Sequence, residues 1–486
     1  MGRDPLCPPS TLPLATMPQH TPAAQRPAKR RRQIATKAAH GRKARPVRTD
    51  RSQNAPMQGD PLTHGLWEAS APPAPDTLPL RGRITVDVAV IGAGFTGLSA
   101  ALHLAEGGRS VAVLEAVEIG FGASGRNVGL VNAGLWVMPE QLPLRLGETH
   151  GARLLQTLGD APSVVFDLVA SHGIECEAQR RGTLHCAVGP RGLAGLRQRA
   201  EQWQRLGAPV RLLDAAETAA RTGTSAYSGA LLDLRAGTIQ PLAYARGLAR
   251  AAMVAGAAVH SRSPVVSIED LGTSWRLGMR DGGMVDANWI VVASNAYAIP
   301  GGPWPELSGE LVRMPYFNMA TPPLPESLRR AILPGGEGAW DTRTILSSFR
   351  LDQAGRLVFG SIGALRGIGH ASHRGWGRRA LARLFPPLRD TDFEHEWYGW
   401  IGTTTDALPR FHGLARNVVS FSGYNGRGIA PGTVFGRELA RLVLGEVDVE
   451  GLSLPDSVIA AFGWKPVREA FYEAGAQVAH AASARW

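Results

Sequence analysis

Hydrophobic positions along this chain come in short runs cut by glycine. Val86-Asp-Val-Ala-Val-Ile91 is a β-branched apolar run of the kind that forms a buried strand. Gly92-Ala-Gly94-Phe95-Thr96-Gly97 follows, and an Ala/Leu-rich stretch to Glu106 predicts a helix stopped by Gly107-Gly108. A second apolar run, Ser110-Val-Ala-Val-Leu114, ends on Glu115. Together these make a strand–helix–strand unit about thirty residues long, the size of a dinucleotide-binding βαβ.

Downstream, the spacing predicts helices over 142–172 (Pro162 opening a second part), 193–206, 241–254, 376–384 and 433–444. It predicts strands over 227–234, 256–268, 289–293, 393–401 and 418–421, and hairpins over 174–188 and 275–287. Short strands at 311–321, 344–351 and 357–361 alternate with turns and tryptophans, the pattern of a separate α+β insertion. The fold class expected is α/β, a Rossmann-like domain interleaved with an α+β substrate domain.

Each glycine of the first turn has a physical task. Gly92 permits the tight exit from the strand, Gly94 lets a pyrophosphate approach the backbone, and Gly97 lets the helix pack on the sheet. The helix start adds free N–H groups and about half a positive charge. Glu115, eighteen residues beyond Gly97, is placed to accept hydrogen bonds from ribose hydroxyls. Two more side-chain-poor turns follow. One is Gly120-Phe-Gly-Ala-Ser124-Gly125-Arg126-Asn127, whose donors suit a phosphate or ring edge. The other, Gly423-Tyr-Asn-Gly426-Arg427-Gly428-Ile429, enters the helix over 433–444.

Composition changes the picture in two ways. The chain has 486 residues and a formal net charge of +11. Residues 1–56 hold twelve Lys/Arg against two Asp/Glu, so the remainder is nearly neutral and the basic pI says nothing about its ligand. Those 56 residues read as a disordered basic extension. A nucleic-acid-binding role confined to that tail is the weaker alternative. The three cysteines, Cys7, Cys176 and Cys186, are too sparse for a disulfide framework, so a cytoplasmic protein with buried free thiols is expected. No run of eighteen apolar residues exists, and no membrane span is expected.

The ordered set Ile91-Gly-Ala-Gly-Phe-Thr-Gly-Leu-Ser-Ala, Gly122-Ala-Ser-Gly-Arg-Asn, Gln240-Pro-Leu, Val292-Ala-Ser-Asn-Ala-Tyr, residues 400–409 and Ser422-Gly-Tyr-Asn-Gly-Arg-Gly resembles the D-amino-acid-oxidase-like FAD-dependent oxidoreductases. The resemblance covers roughly 66–445. It implies a FAD-binding domain over 84–300 and 401–450, with 142–240 partly supplying inserted elements. It leaves a substrate domain over 301–400, an N-terminal arm over 57–83 whose Trp67 is expected to dock on the body, and a C-terminal segment over 451–486. Gly92, Gly94 and Gly97, with Phe95 and Thr96 between them, would hold the FAD pyrophosphate, and Glu115 the adenosine ribose. Ser124, Arg126 and Asn127 would lie along the pyrophosphate and ring, Val266 would bracket the adenine, and Gly426, Arg427, Gly428 and Ile429 would edge the flavin's pyrimidine.

The chain departs from that pattern twice. No cysteine follows Cys186, so noncovalent FAD is expected. Some relatives place a lysine beside the flavin, but here Lys465 is the first lysine after Lys43, which leaves O2 or another electron acceptor open. The substrate expected is a small-molecule amine or amino acid. Trp397, Tyr398, Trp400 and Tyr424 are candidates for a dry aromatic wall, with Tyr424 and Trp400 the nominated site residues. Arg350 is the candidate for gripping a substrate carboxylate. His370 and His373 fall in a glycine-rich stretch and read as solvent-facing. An NAD-dependent Rossmann dehydrogenase is the enzyme alternative.

Overall fold

A computed structural model describes residues 64–299, 302–461 and 463–483. The basic extension over 1–56 and the start of the expected arm lie outside the described residues.

The first sheet is built on Arg83–Ile91. It pairs in parallel with Val111–Leu114 on one side and Met284–Val292 on the other. Ala258–His260 and Val418–Ser422 extend the parallel sheet outward, and Arg410–Ala415 closes one edge antiparallel. Met284–Val292 is a single strand: it pairs along its whole length with Arg83–Ile91, and its first residues also carry Trp275–Met279. The helices Phe95–Glu106, Pro241–Val254 and Ile429–Leu444 pack together on this sheet and share one apolar core. Their contact is close because two glycines lack side chains. A Cβ on Gly436 would lie 2.5 Å from Thr96 O, and one on Gly97 would lie 2.0 Å from Gly92 O.

The second sheet runs, in order, His395–Thr403, Val312–Pro323, Arg356–Ile362, Ser347–Leu351, Gly338–Asp341, Thr183–Ala187, Gly229–Asp233 and Val210–Leu213. Three of its strands therefore come from outside 301–400. The expected hairpin over 174–188 does not form: Thr183–Ala187 pairs with Gly229–Asp233 and Gly338–Asp341 instead. A short-range turn signal was outcompeted by two long-range partners. Pro162 sits inside the continuous helix Glu148–Ser171 rather than starting a new one. The helix expected at 376 starts at Ile368, so His370 and His373 are helical and His373 is fully buried.

The arm docks as expected. Trp67 is buried, and its Nε1–H donates to Asn127 O at 2.8 Å while its ring meets Trp397 edge-on. Arg246 grips Glu68 with two 2.8 Å bonds and donates to Pro72 O. Among the described residues, no helix is long and apolar enough to cross a membrane.

Candidate active site

Three turns sit at the carboxyl ends of the parallel strands, where open α/β sheets bind ligands. They touch one another. Phe95 N donates to Ser124 Oγ at 3.1 Å, joining the first turn to the second. Thr96 Oγ1 and Tyr424 Oη are 2.7 Å apart, joining the first to the third. Gly92 has φ +105°, which disfavours any side chain, and a Cβ on Gly94 would come within 2.9 Å of Ser124 Oγ. A side chain at Gly94 would thus collide with Ser124, and the crevice between these turns is left lined by backbone, which fits the close approach of a pyrophosphate.

Glu115 closes the first turn from beside it. Its Oε2 accepts from Ala93 N at 2.8 Å and its Oε1 from Val117 N at 2.9 Å. Burial pushes this carboxyl up, against the pull of those amides. Each oxygen keeps a lone pair for a hydroxyl. The second turn is held from below: Arg126 O accepts from Asn318 Nδ2 at 2.9 Å and from Trp397 Nε1 at 3.0 Å. The Arg126 guanidinium lies 4.4 Å from the Phe121 ring centroid and donates to Tyr297 Oη.

Several nominated residues turn out to serve the scaffold. Asn127 spends its amide on Ala123 O, Ser124 O and Gly129 N, so it shapes its own turn. Tyr424 is buried, and its hydroxyl is taken by Thr96 and Phe421 O, which makes it a clamp between turns. Arg350 is only 2% exposed, bonded to Ile239 O and Leu351 O and paired with Glu177 at 3.3 Å, so no substrate carboxylate can reach it. Ile429 is buried at the start of its helix. Gly426 has φ +86°, and a Cβ on it would lie 3.3 Å from Ile401 Cδ1. Val266 points outward and is exposed, while Val265 is packed in the same apolar cluster as Leu114, next to Glu115.

Strand alternation decides which side chains of the second sheet face the turns. Trp397 and Gly399 touch Arg126, and Ile401 touches Gly426, so the odd positions of His395–Thr403 face the cradle. Tyr398 and Trp400 therefore face the other way; Arg366, which lies over the Trp400 ring, pairs with Glu473 of the C-terminal helix Lys465–Ala482. These two residues are not the expected wall. Carried across the sheet by its register, the cradle-facing side chains are Met314 and Tyr316, then Ile362, Ser348, Trp340, His185 and Asp233. Tyr316 Oη bonds Ser348 Oγ at 2.7 Å. Sequence reasoning missed Tyr316, Trp340 and His185, although period-two reading from Trp397 would have found the right face.

The residues just described belong to one extended match. Residues 87–442 match the family of FAD dependent oxidoreductases. The chain belongs to that family. It is 33% identical over 376 residues to gamma-glutamylputrescine oxidoreductase of Escherichia coli (strain K12), spanning 76% of this chain and 86% of that protein. In fold it is similar to glycine oxidase from Geobacillus kaustophilus (TM-score 0.63, 22% identity, 77% of this chain and 99% of that one). It is likewise similar to iminodiacetate oxidase from Chelativorans sp. BNC1 (TM-score 0.60, 20% identity, 76% and 99%). The protein is an FAD-dependent amine or amino-acid oxidoreductase. The family membership sets aside the NAD-dependent alternative, which left the second and third turns without a task.

Proposed function

We propose that this protein oxidises the C–N bond of a small amine, of the gamma-glutamylputrescine type or another polyamine derivative, to an imine that water hydrolyses. The observation that carries the reading is the meeting of the three turns opposite one sheet face that bears Tyr316, Trp340 and Met314. The 33% identity to gamma-glutamylputrescine oxidoreductase supports the substrate class. FAD, held noncovalently, supplies the hydride acceptor when bound.

The chain's residues then have defined work. Gly92, Gly94 and Gly97 with Ser124 shape the pyrophosphate cradle, and Glu115 takes the ribose. Arg427 N is spent on Tyr424 O at 2.9 Å, so the backbone of Gly426, Gly428 and Ile429 is left to offer N–H groups before a helix, which suit negative charge on a flavin edge. The reacting amine has to be neutral, because an ammonium has no lone pair to release. For a lysine-like amine, deprotonation at pH 7 costs about 4–5 kcal/mol. The cradle-facing sheet helps, since its one carboxylate, Asp233, is already paired bidentately with Arg235. An apolar, locally cationic surface disfavours the ammonium.

Purified protein should show oxidised-flavin absorbance that bleaches anaerobically on adding a mono-acylated diamine. Retention of full yellow colour across a panel of polyamine derivatives and amino acids would refute the reading.

A further inference from the structure

Beside the third turn lies a small, partly open cavity lined by His185, Trp340, Arg427, Arg199, Asn132 and Asp233, among others. Its construction is unusual in two independent respects. First, it holds one buried cation, Arg427, and one part-buried cation, Arg199, without a carboxylate paired to either. Arg427 donates to Ala133 O and Arg199 to the carbonyls of Leu135 and Trp136, and neither forms an ion pair among the described residues. Burial drives both guanidiniums down, Arg199 to about 10 and Arg427, with the neighbouring Arg199 charge adding to the effect, to about 9. Asp233, the acid of the cavity, has both oxygens on Arg235. Buried charge of one sign is costly unless a counter-charge joins it.

Second, three of the polar atoms on lining residues have no protein partner. They are Trp340 Nε1, His185 Nδ1 and Arg427 Nε. The Trp340 and Arg427 atoms are obligate donors, and the His185 atom is a donor in one neutral tautomer. Their rings and plane are locked. His185 stacks on Trp340 at 3.4 Å, Trp136 meets Trp340 edge-on at 5.1 Å, and the Arg427 guanidinium lies 4.8 Å and 4.9 Å from the two indole centroids. Trp136 also donates to Asn425 O, so the cage is fastened to the turn that edges the flavin. A rigid set of unpaired N–H groups with net positive charge is the complement of an acceptor-only anion.

We infer that this cage is a specificity subsite for a carboxylate at the far end of the substrate, so that the preferred amine is one that also carries an acid. The inference rests on the amine-oxidation reading above and deepens it. It also relocates the carboxylate grip from Arg350, which is sealed, to Trp340, His185 and Arg427.

The test uses the flavin-loaded full chain and two amines of matched length, gamma-glutamylputrescine and its analogue lacking the carboxylate. The expected result is a KM at least tenfold lower for the acid-bearing amine. Trp340→Phe should erase about tenfold of that preference, the size of one charge-assisted hydrogen bond, read as the ratio of the two amines' KM values in the same variant. Arg427→Gln should raise the same KM further. Should that variant not fold, Trp340→Phe together with His185→Phe decides. A separate readout is indole fluorescence, because Trp136 and Trp340 form the cage. Glutarate should shift the emission saturably in wild type and not in Trp340→Phe, and n-butylamine should do nothing. Equal KM for the two amines, or an unchanged preference in Trp340→Phe, overturns the subsite while leaving amine oxidation standing. If neither amine bleaches the flavin, the functional reading fails, and the glutarate titration alone decides the cage. An equal response to inorganic phosphate would show a general anion site and overturn the assignment to substrate.

Discussion

Lowering the pH from 7 to 5 should destabilise the protein through one buried pair of histidines. His373 Nδ1 and His480 Nδ1 are 2.8 Å apart, with Trp376 stacked on His480 and Phe317 stacked on His373. The bonding pattern fixes the tautomers. Ser361 Oγ donates to Leu346 O, so it accepts from His480 Nε2–H, leaving His480 Nδ1 to accept from His373 Nδ1–H. His373 Nε2 is then a bare lone pair without a partner. A proton on either ring breaks this chain or sits desolvated. Burial accordingly holds His373 at about 4 and His480 at about 3. Both folded values lie below the ordinary 6.5, so the unfolded chain binds more protons between pH 6.5 and pH 4. The stabilisation is complete above pH 6.5 and is lost as pH falls below it. Between pH 7 and pH 5 each histidine costs about 2 kcal/mol, ~4 kcal/mol for the pair, a large share of a typical folding free energy. Urea unfolding of wild type and His480→Gln at the two pH values isolates the effect. The glutamine can still accept from His373 but does not titrate, so the variant should lose about 2 kcal/mol less than wild type. Equal losses in the two proteins would refute the argument. Other titrating groups, including His412 with its Glu310 partner at 2.7 Å, are common to both and cancel.

Gly97→Ala places a methyl 2.0 Å from Gly92 O and should cost about 1–3 kcal/mol and abolish FAD retention on a desalting column. Trp67→Phe keeps the ring against Trp397 but removes the bond to Asn127 O, and should lower stability in urea by about 1 kcal/mol with noncovalent FAD dissociating faster. Trp400→Leu changes a ring on the far face of the sheet, and kcat should stay within twofold. Arg350→Met leaves Glu177 part-buried without its cation, and should destabilise the protein by about 3 kcal/mol in urea while leaving KM unchanged in the fraction that folds.

What was legible in the sequence was local. The first turn announces itself because its glycines answer backbone needs set within a few residues: a positive φ at Gly92, a near-contact with the strand exit at Gly97. The second and third turns were equally visible, being poor in side chains. The partners of the second sheet were not. Thr183–Ala187 could pair with its own neighbour or with strands far along the chain, and nothing local decides between them. The errors at Tyr398, Trp400 and Arg350 share a cause. Residue type named them as aromatic wall or carboxylate grip, but period two sends Tyr398 and Trp400 to the far face, and the sheet seals Arg350 under Trp67. His373 was misread because a glycine-rich stretch resembled a loop, yet it joins a seventeen-residue helix once Trp376 and Leu381 are buried.

The clamps explain how a turn with almost no side chains holds a shape. Arg126 O takes two donors from the second sheet, Asn127 O takes one from the arm, and Thr96 with Tyr424 ties the first helix to the third turn. Each bond ends on backbone or on a hydroxyl at the turn, so the turns are held in shape by partners outside them. The two sheets and the arm are thus coupled through the cradle itself. Loosening any of the clamps should appear first as weaker cofactor retention and only later as global unfolding, which is the order expected when pre-organisation rather than contact area limits binding.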